Sequence, residues 1–184
     1  MGVLSVSVFK ASAETLSNKN ATLEVKVTPA TVATPSPETE VQYYLPYPGI
    51  LPDHPLYFLK MIRDKIWLSL TADALKKAEV LLLFADKRLG AAKVLIEGNK
   101  FSLGLTTLEK AEKYLERVAG ELEEAKKKGK EIGPLAEKLE TASLKHEEII
   151  LGLAKNLTGE GKSALEKLLT YPQEILKKVN LLFE

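Results

Sequence analysis

Leu75–Ile96 reads LKKAEVLLLFADKRLGAAKVLI, and the spacing of its apolar residues decides the fold. Leu75, Ala78, Leu82, Ala85, Leu89, Ala92 and Ile96 follow one another at intervals of 3-4-3-4-3-4, the seam of a coiled-coil-like helix contact. Leucine or isoleucine (75, 82, 89, 96) alternates with alanine (78, 85, 92) along this seam. Small residues let a neighbouring helix approach closely, and the branched ones interlock with it. Truncating a seam leucine or enlarging a seam alanine should therefore destabilise the domain in opposite ways, by cavity or by overpacking.

Outward from this helix the same period recurs. Leu108, Ala111, Leu115, Val118, Leu122 and Ala125 answer it on a third helix, which Asn99 caps and Gly129 follows. Leu135, Leu139, Ala142, His146, Ile149 and Leu153 continue it on a fourth, opened by Gly133-Pro134 and ending near Leu157, before Thr158-Gly159-Glu160-Gly161. The second helix begins at Thr71 or Asp73 and stops at Gly98, which is assigned the left-handed position. The stretch from Ser163 to Phe183 is helical with a break at Tyr171-Pro172. Upstream, Asp53 caps a first helix with Pro55 in its opening turn, running to about Leu70. Short connections make neighbouring helices antiparallel. The expected fold is all-α: an elongated antiparallel helical bundle, a long helical hairpin plus further helices, over residues 53–184.

Residues 1–52 are of another kind. Seven prolines fall between Pro29 and Pro55, and Thr28–Glu40 is rich in Thr and Pro, so this piece reads as an extended spacer. Leu23, Val25 and Val27 alternate with polar residues as in a strand. Val3–Phe9 followed by Ala11-Ser12-Ala13 reads as the tail of a signal peptide.

Composition sets bounds on chemistry. The 184 residues carry 26 Lys+Arg against 25 Asp+Glu, a net charge of +1. That balance gives no electrostatic reason to expect nucleic acid or an anionic membrane, since each needs a basic surplus on one face. With no cysteine, disulfides, thiolate metal sites and thiol catalysis are excluded. The two histidines are His54, in the proline-rich junction, and His146, on the fourth helix's seam, where it reads as a packed core residue. Position 143 is Ser, so the Glu-x-x-His ligand pair of carboxylate-bridged metal bundles is missing. Gly161-Lys162-Ser163 resembles the end of a phosphate-binding loop, but Asn156 stands where the first glycine is needed and a helix precedes it. Lys126–Lys128 and Lys130 complement a helix C-terminus. Asn20-Ala21-Thr22 and Asn156-Leu157-Thr158 are glycosylation sequons, a pattern too common to carry weight. No catalytic, cofactor-binding or metal-ligating residues are assigned, and no cofactor is expected.

The first helix admits two readings. Leu56, Leu59, Ile62, Ile66 and Leu70 form one stripe, widened by Phe58, Trp67 and Leu68, with Lys60, Arg63, Asp64 and Lys65 elsewhere. Packing of this stripe on the bundle is the favoured reading. A basic amphipathic helix over residues 55–70 lying on a membrane surface is the alternative.

The run LPYPGILPDHPLYFLK, Leu45–Lys60, resembles the opening of the bacterial domain-of-unknown-function family DUF5667, which is similar in having Leu-Pro-x-x-Pro-Leu-Tyr-x-Leu-Lys, matched from Leu51 to Lys60. Ala85-Asp86-Lys87-Arg88-Leu89 resembles a second segment of that family, with Asp86 where the family has Glu. The likeness covers about Leu45 to Leu122. It implies an extracytoplasmic protein, often behind a signal peptide or membrane anchor and a low-complexity linker, and implies no activity or ligand. Read locally, the same motif holds Leu45–Pro52 extended and uses Leu56, Tyr57 and Leu59 to dock the junction, while Pro46-Tyr47-Pro48 beside Tyr43-Tyr44 would alternatively offer aromatics to a partner. The functional expectation is a non-catalytic, extracytoplasmic interaction or structural module. Its partner is an unknown protein or envelope component and not nucleic acid, with membrane-surface contact as the alternative; its oligomeric state is not legible.

Overall fold

A computed structural model describes residues 40–183. The signal-peptide-like start, the strand-like stretch, the Asn20 sequon and nearly all of the Thr/Pro-rich spacer lie outside the described residues. Within them are six helices and no strand: α1 (Tyr57–Leu70), α2 (Ala74–Glu97), α3 (Phe101–Lys127), α4 (Gly133–Lys155), α5 (Gly159–Leu168) and α6 (Thr170–Phe183). The all-helical, antiparallel bundle anticipated from periodicity is the observed fold.

Local chemistry sets the ends of these helices. Asp73 accepts a hydrogen bond from the Lys76 N–H at 3.0 Å and so caps α2. At the other end Gly98 is not left-handed; Asn99 takes that conformation, with φ 61°. The Lys100 N–H then reaches the Leu95 carbonyl (2.8 Å) and the Asn99 N–H reaches Ile96 (3.1 Å), closing a Schellman turn. Asn99 is thus spent on stopping α2 and does not cap α3. Gly129 (φ 69°) closes α3 in the same way, through Lys130 N–H to the Ala125 carbonyl. Asp53 does not cap α1 either: it pairs with Lys100, 2.5 Å away, and α1 opens at Leu56 with no side-chain cap. Helix α5 starts at Gly159, inside the expected loop. The break before α6 falls at Leu169, three residues ahead of Pro172, because a proline with no N–H fits only in a helix's first turn.

Antiparallel packing of α2, α3 and α4 builds two apolar clusters. One joins the first half of α2 (Leu81, Leu82, Ala85) to the second half of α3 (Leu115, Val118, Leu122), the first half of α4 (Leu135, Leu139, Ala142) and α6 (Ile175, Val179). The other joins Leu89, Ala92 and Ile96 of α2 to Leu108 and Ala111 of α3, Ile150 and Leu153 of α4, and Leu165 of α5. Ala78, Ala85 and Ala92 are fully buried, as are all six apolar seam residues of α3. Lys76 is exposed, while Lys77 and Lys87 are half-buried; Lys77 pairs with Glu121 at 2.5 Å.

Helices α2 and α3 come closest beside their turn. A Cβ placed on Gly104 would lie 2.5 Å from Cγ1 of Ile96 and 3.2 Å from the Ala92 carbonyl oxygen. Alanine's helix propensity would favour Gly104→Ala by up to about 1 kcal/mol, but overlap with a branched side chain and a backbone atom costs about 1–3 kcal/mol. The variant should therefore be less stable by roughly 1–2 kcal/mol in urea denaturation; a stabilised variant would show that the crossing is looser.

Residues 40–56 run without regular structure over the bundle. The Val41 N–H donates to Glu148 (3.0 Å), Glu40 pairs with Lys145 (3.3 Å), and the Tyr43 hydroxyl donates to Asp86 (2.6 Å). Leu45 packs on the second cluster, and Pro48 lies over Gly90. Tyr43, Leu45 and Pro48 thus anchor this segment. Leu56 and Leu59, assigned that task from the sequence, are about half exposed, and Tyr57 alone of the three is half-buried.

Candidate functional site

Two places in the bundle hold polar or apolar groups where simple burial would not put them. The first is a polar layer between the two apolar clusters. His146, fully buried, has Nδ1 2.8 Å from Glu112 Oε1 and Nε2 3.3 Å from Asp86 Oδ1. Asp86 receives the Tyr43 hydroxyl on its other oxygen, and Oε2 of Glu112 has no hydrogen-bond partner. Burial alone would push the imidazole's pKa down, but the Glu112 carboxylate and hydrogen bonds to Asp86 and Glu112 outweigh it and lift the value to about 9. Burial, then the Asp86 charge, raises the pKa of the Tyr43 phenol. The layer is an imidazolium held between two carboxylates, closed to solvent and tied by Tyr43 to the segment that enters from the N-terminal side. Among the described residues no group of three or more His, Asp or Glu is placed to hold a metal ion.

The second place is α1. Its one buried residue is a charge: Asp64 is 2% exposed. Arg63 lies 2.7 Å from one carboxylate oxygen and Arg88 of α2 lies 3.4 Å from the other. Arg88 stacks over Tyr114, 4.2 Å from the ring centroid, and Trp67 meets Phe84 edge-on at 5.7 Å. With Asp64 pointing inward, residues on the opposite side of the helix must point out. At about 100° per residue, Ile62 and Ile66 stand about 160° to either side of Asp64, and Leu59 and Leu70 fall on the same outer side. Leu59, Ile62, Ile66 and Leu70 are 52, 51, 54 and 78% exposed. Leu56, Phe58, Met61 and Trp67 are also exposed. The expectation that this stripe packs on the bundle is overturned for Leu56, Phe58, Leu59, Ile62, Ile66 and Leu70 and holds for Leu68, which packs on the first apolar cluster. Helix α1 is inverted, with its acid inside and its apolar stripe outside, and Asp64 meets on the inner face the buried guanidinium of Arg88, which also donates to the Phe84 carbonyl (3.2 Å).

Two grooves flank α1. One, of about 800 Å³, has Lys65, Lys77, Arg88, Lys110 and Arg117 among its lining residues and no carboxylate. The other, of about 410 Å³, joins Ile50, Leu56 and Leu59 to Lys60, Arg63 and Lys87, again with no carboxylate. Within the described residues Lys65, Lys110 and Arg117 form no ion pair with an acid.

The remaining residues singled out from the sequence fall elsewhere. His54 lies in the exposed turn before α1 and accepts the Leu56 N–H. Gly161-Lys162-Ser163 lies within α5, where Lys162 faces Glu166 at 3.8 Å. Lys126 donates to the Leu182 carbonyl, Lys127 pairs with Glu124 and Lys130 with Asp73, so three of the cluster's four lysines have partners within the bundle. Asn156 is the C-cap residue of α4. Tyr44 and Tyr47 are exposed. No helix among the described residues is long and apolar enough to cross a membrane.

A family model described as a domain of unknown function (DUF5667) matches residues 49–169, from the turn before α1 through α5. No curated protein matches the chain. No solved structure matches it.

Proposed function

We propose that this chain, which belongs to the DUF5667 family, is a non-catalytic interaction module that works outside the cytoplasm and makes its contact through the outer face of α1. The observation that carries the reading is the inversion of α1. Eight large apolar side chains within residues 56–70 are more than two-fifths exposed. Phe58 and Trp67 alone are worth roughly 150–250 Å² each when fully exposed, so with the six aliphatic side chains the face displays several hundred Å² of apolar surface. A patch of that extent on a soluble domain marks a contact site. The placement outside the cytoplasm rests on the family likeness, on Ala11-Ser12-Ala13 and on the Thr/Pro-rich stretch that would hold the bundle away from an anchor.

Site-specific photo-crosslinking in the native host tests this. Ile62→p-benzoylphenylalanine should give a discrete adduct, protein or lipid, that Lys138→p-benzoylphenylalanine on the exposed surface of α4 does not. Equal adducts from both positions, or none from position 62, would remove the reading.

A further inference from the structure

The outer face of α1 has a charge pattern that selects among occupants. Asp64 is the only acid of the helix, and it is withdrawn into the bundle between two guanidiniums. One carboxylate between Arg63 and Arg88 leaves that trio at +1. Every other ionic side chain of α1 is a cation: Lys60 and Lys65. The two grooves beside the helix add Lys87 on one side and Lys110 and Arg117 on the other. Both grooves beside α1's exposed apolar stripe are thus lined by cations and by no carboxylate, although the whole chain carries a net charge of only +1.

We infer that the outer face of α1 seats on an anionic lipid bilayer surface, a conclusion that rests on the interaction reading above. Arg63 and Lys65 lie about 100° to either side of Asp64, at the two borders of the apolar stripe. From there their long stems follow the apolar surface while their charged heads reach lipid phosphates. Trp67 stands about 60° from Asp64, inside the Arg63 border, with one edge on Phe84 and the rest exposed. The stripe is exposed along the length of the helix, from Leu56 to Leu70, while the inner side meets α2. A second copy of the chain is disfavoured because facing two such stripes brings like-charged borders together. A negatively charged bilayer instead attracts Lys and Arg side chains placed within about 10 Å of its surface.

The 184-residue chain carries a single tryptophan, Trp67, so its fluorescence reports on α1 alone. With vesicles of equal phosphatidylglycerol and phosphatidylcholine, the chain should co-sediment and its emission should shift to the blue. With phosphatidylcholine alone, or in about 1 M salt, where the Debye length falls to about 3 Å, binding should drop about tenfold or more. Ile62→Ser with Ile66→Ser alters only exposed side chains, so it should abolish sedimentation and shift while leaving the melting temperature unchanged. Lys65→Gln with Lys110→Gln should weaken binding roughly thirtyfold. Three results would overturn the inference: no sedimentation with anionic vesicles, equal sedimentation of the Ile62/Ile66 variant, or a dimer that this variant dissociates while vesicles are ignored. A protein adduct at position 62 without vesicle binding would sink the bilayer inference and leave the interaction reading standing. Absence of both adduct and vesicle binding would sink both.

Discussion

His146→Leu is expected to lower the stability of the bundle by roughly 3–5 kcal/mol, measured by urea denaturation at pH 6. The substitution leaves an apolar residue of similar bulk, so little of the loss comes from a cavity. It comes from Glu112 and Asp86, which are buried and lose the imidazolium between them. Removing one member of a buried ionic group costs more than the group as a whole contributes, because Glu112 is then left with neither water nor partner and Asp86 with the Tyr43 hydroxyl alone. Replacing the other half as well, as His146→Leu with Glu112→Leu, should therefore recover a large part of the loss.

The same cluster makes stability depend on pH. The folded imidazole keeps its proton to about 9 against about 6.5 for an unperturbed histidine. Its stabilisation is complete below about 6.5 and is lost as pH rises through 9. The parent should lose roughly 2–3 kcal/mol between pH 6 and 9, and His146→Leu should not show that loss. A parent with a flat profile over that range would mean that the layer is held by neutral hydrogen bonds.

Leu82→Ala should cost roughly 2–5 kcal/mol, a large part of the 5–15 kcal/mol typical of a domain. Leu82 is 1% exposed within the first apolar cluster, so the space left by its side chain is enclosed on every side. Ala85, one turn further along the seam and fully buried, should fail in the opposite sense. Ala85→Leu adds atoms where α2 is closely covered by α3 and α4 and should cost about 1–3 kcal/mol. Denaturation of the two variants reads both effects. If both unfold with the parent, the bundle is not built on this seam.

Residues 75–96 determined by themselves that α2 is a helix buried along a 3-4 seam, because the periodicity of side chains about a helix is a local property. The six-residue seam of α3 was legible for the same reason, the Gly133-Pro134 start was legible from its residue types, and the start of α2 was narrowed to Thr71 or Asp73, of which the fold uses Asp73. Helix ends that depend on one residue's conformation were less so: Gly98 and Asn99 both suit the left-handed position, and hydrogen bonding from Lys100 to Leu95 selected Asn99. His146 was legible as a buried seam residue, but its partners Glu112 and Asp86 lie 34 and 60 residues away, and no local pattern joins them.

The face of α1 was beyond the reach of the sequence. Periodicity shows that one side of a helix is apolar, but it does not say on which side the bundle stands. In the folded chain that side is marked by the pairing of Asp64 with Arg88, buried on α2. Net charge was similarly uninformative, since a total of +1 is compatible with an even scatter and with a concentrated patch. Only the folded chain, by drawing Asp64 inward and setting Lys65, Lys110 and Arg117 around one groove, turned a balanced composition into a basic, apolar face.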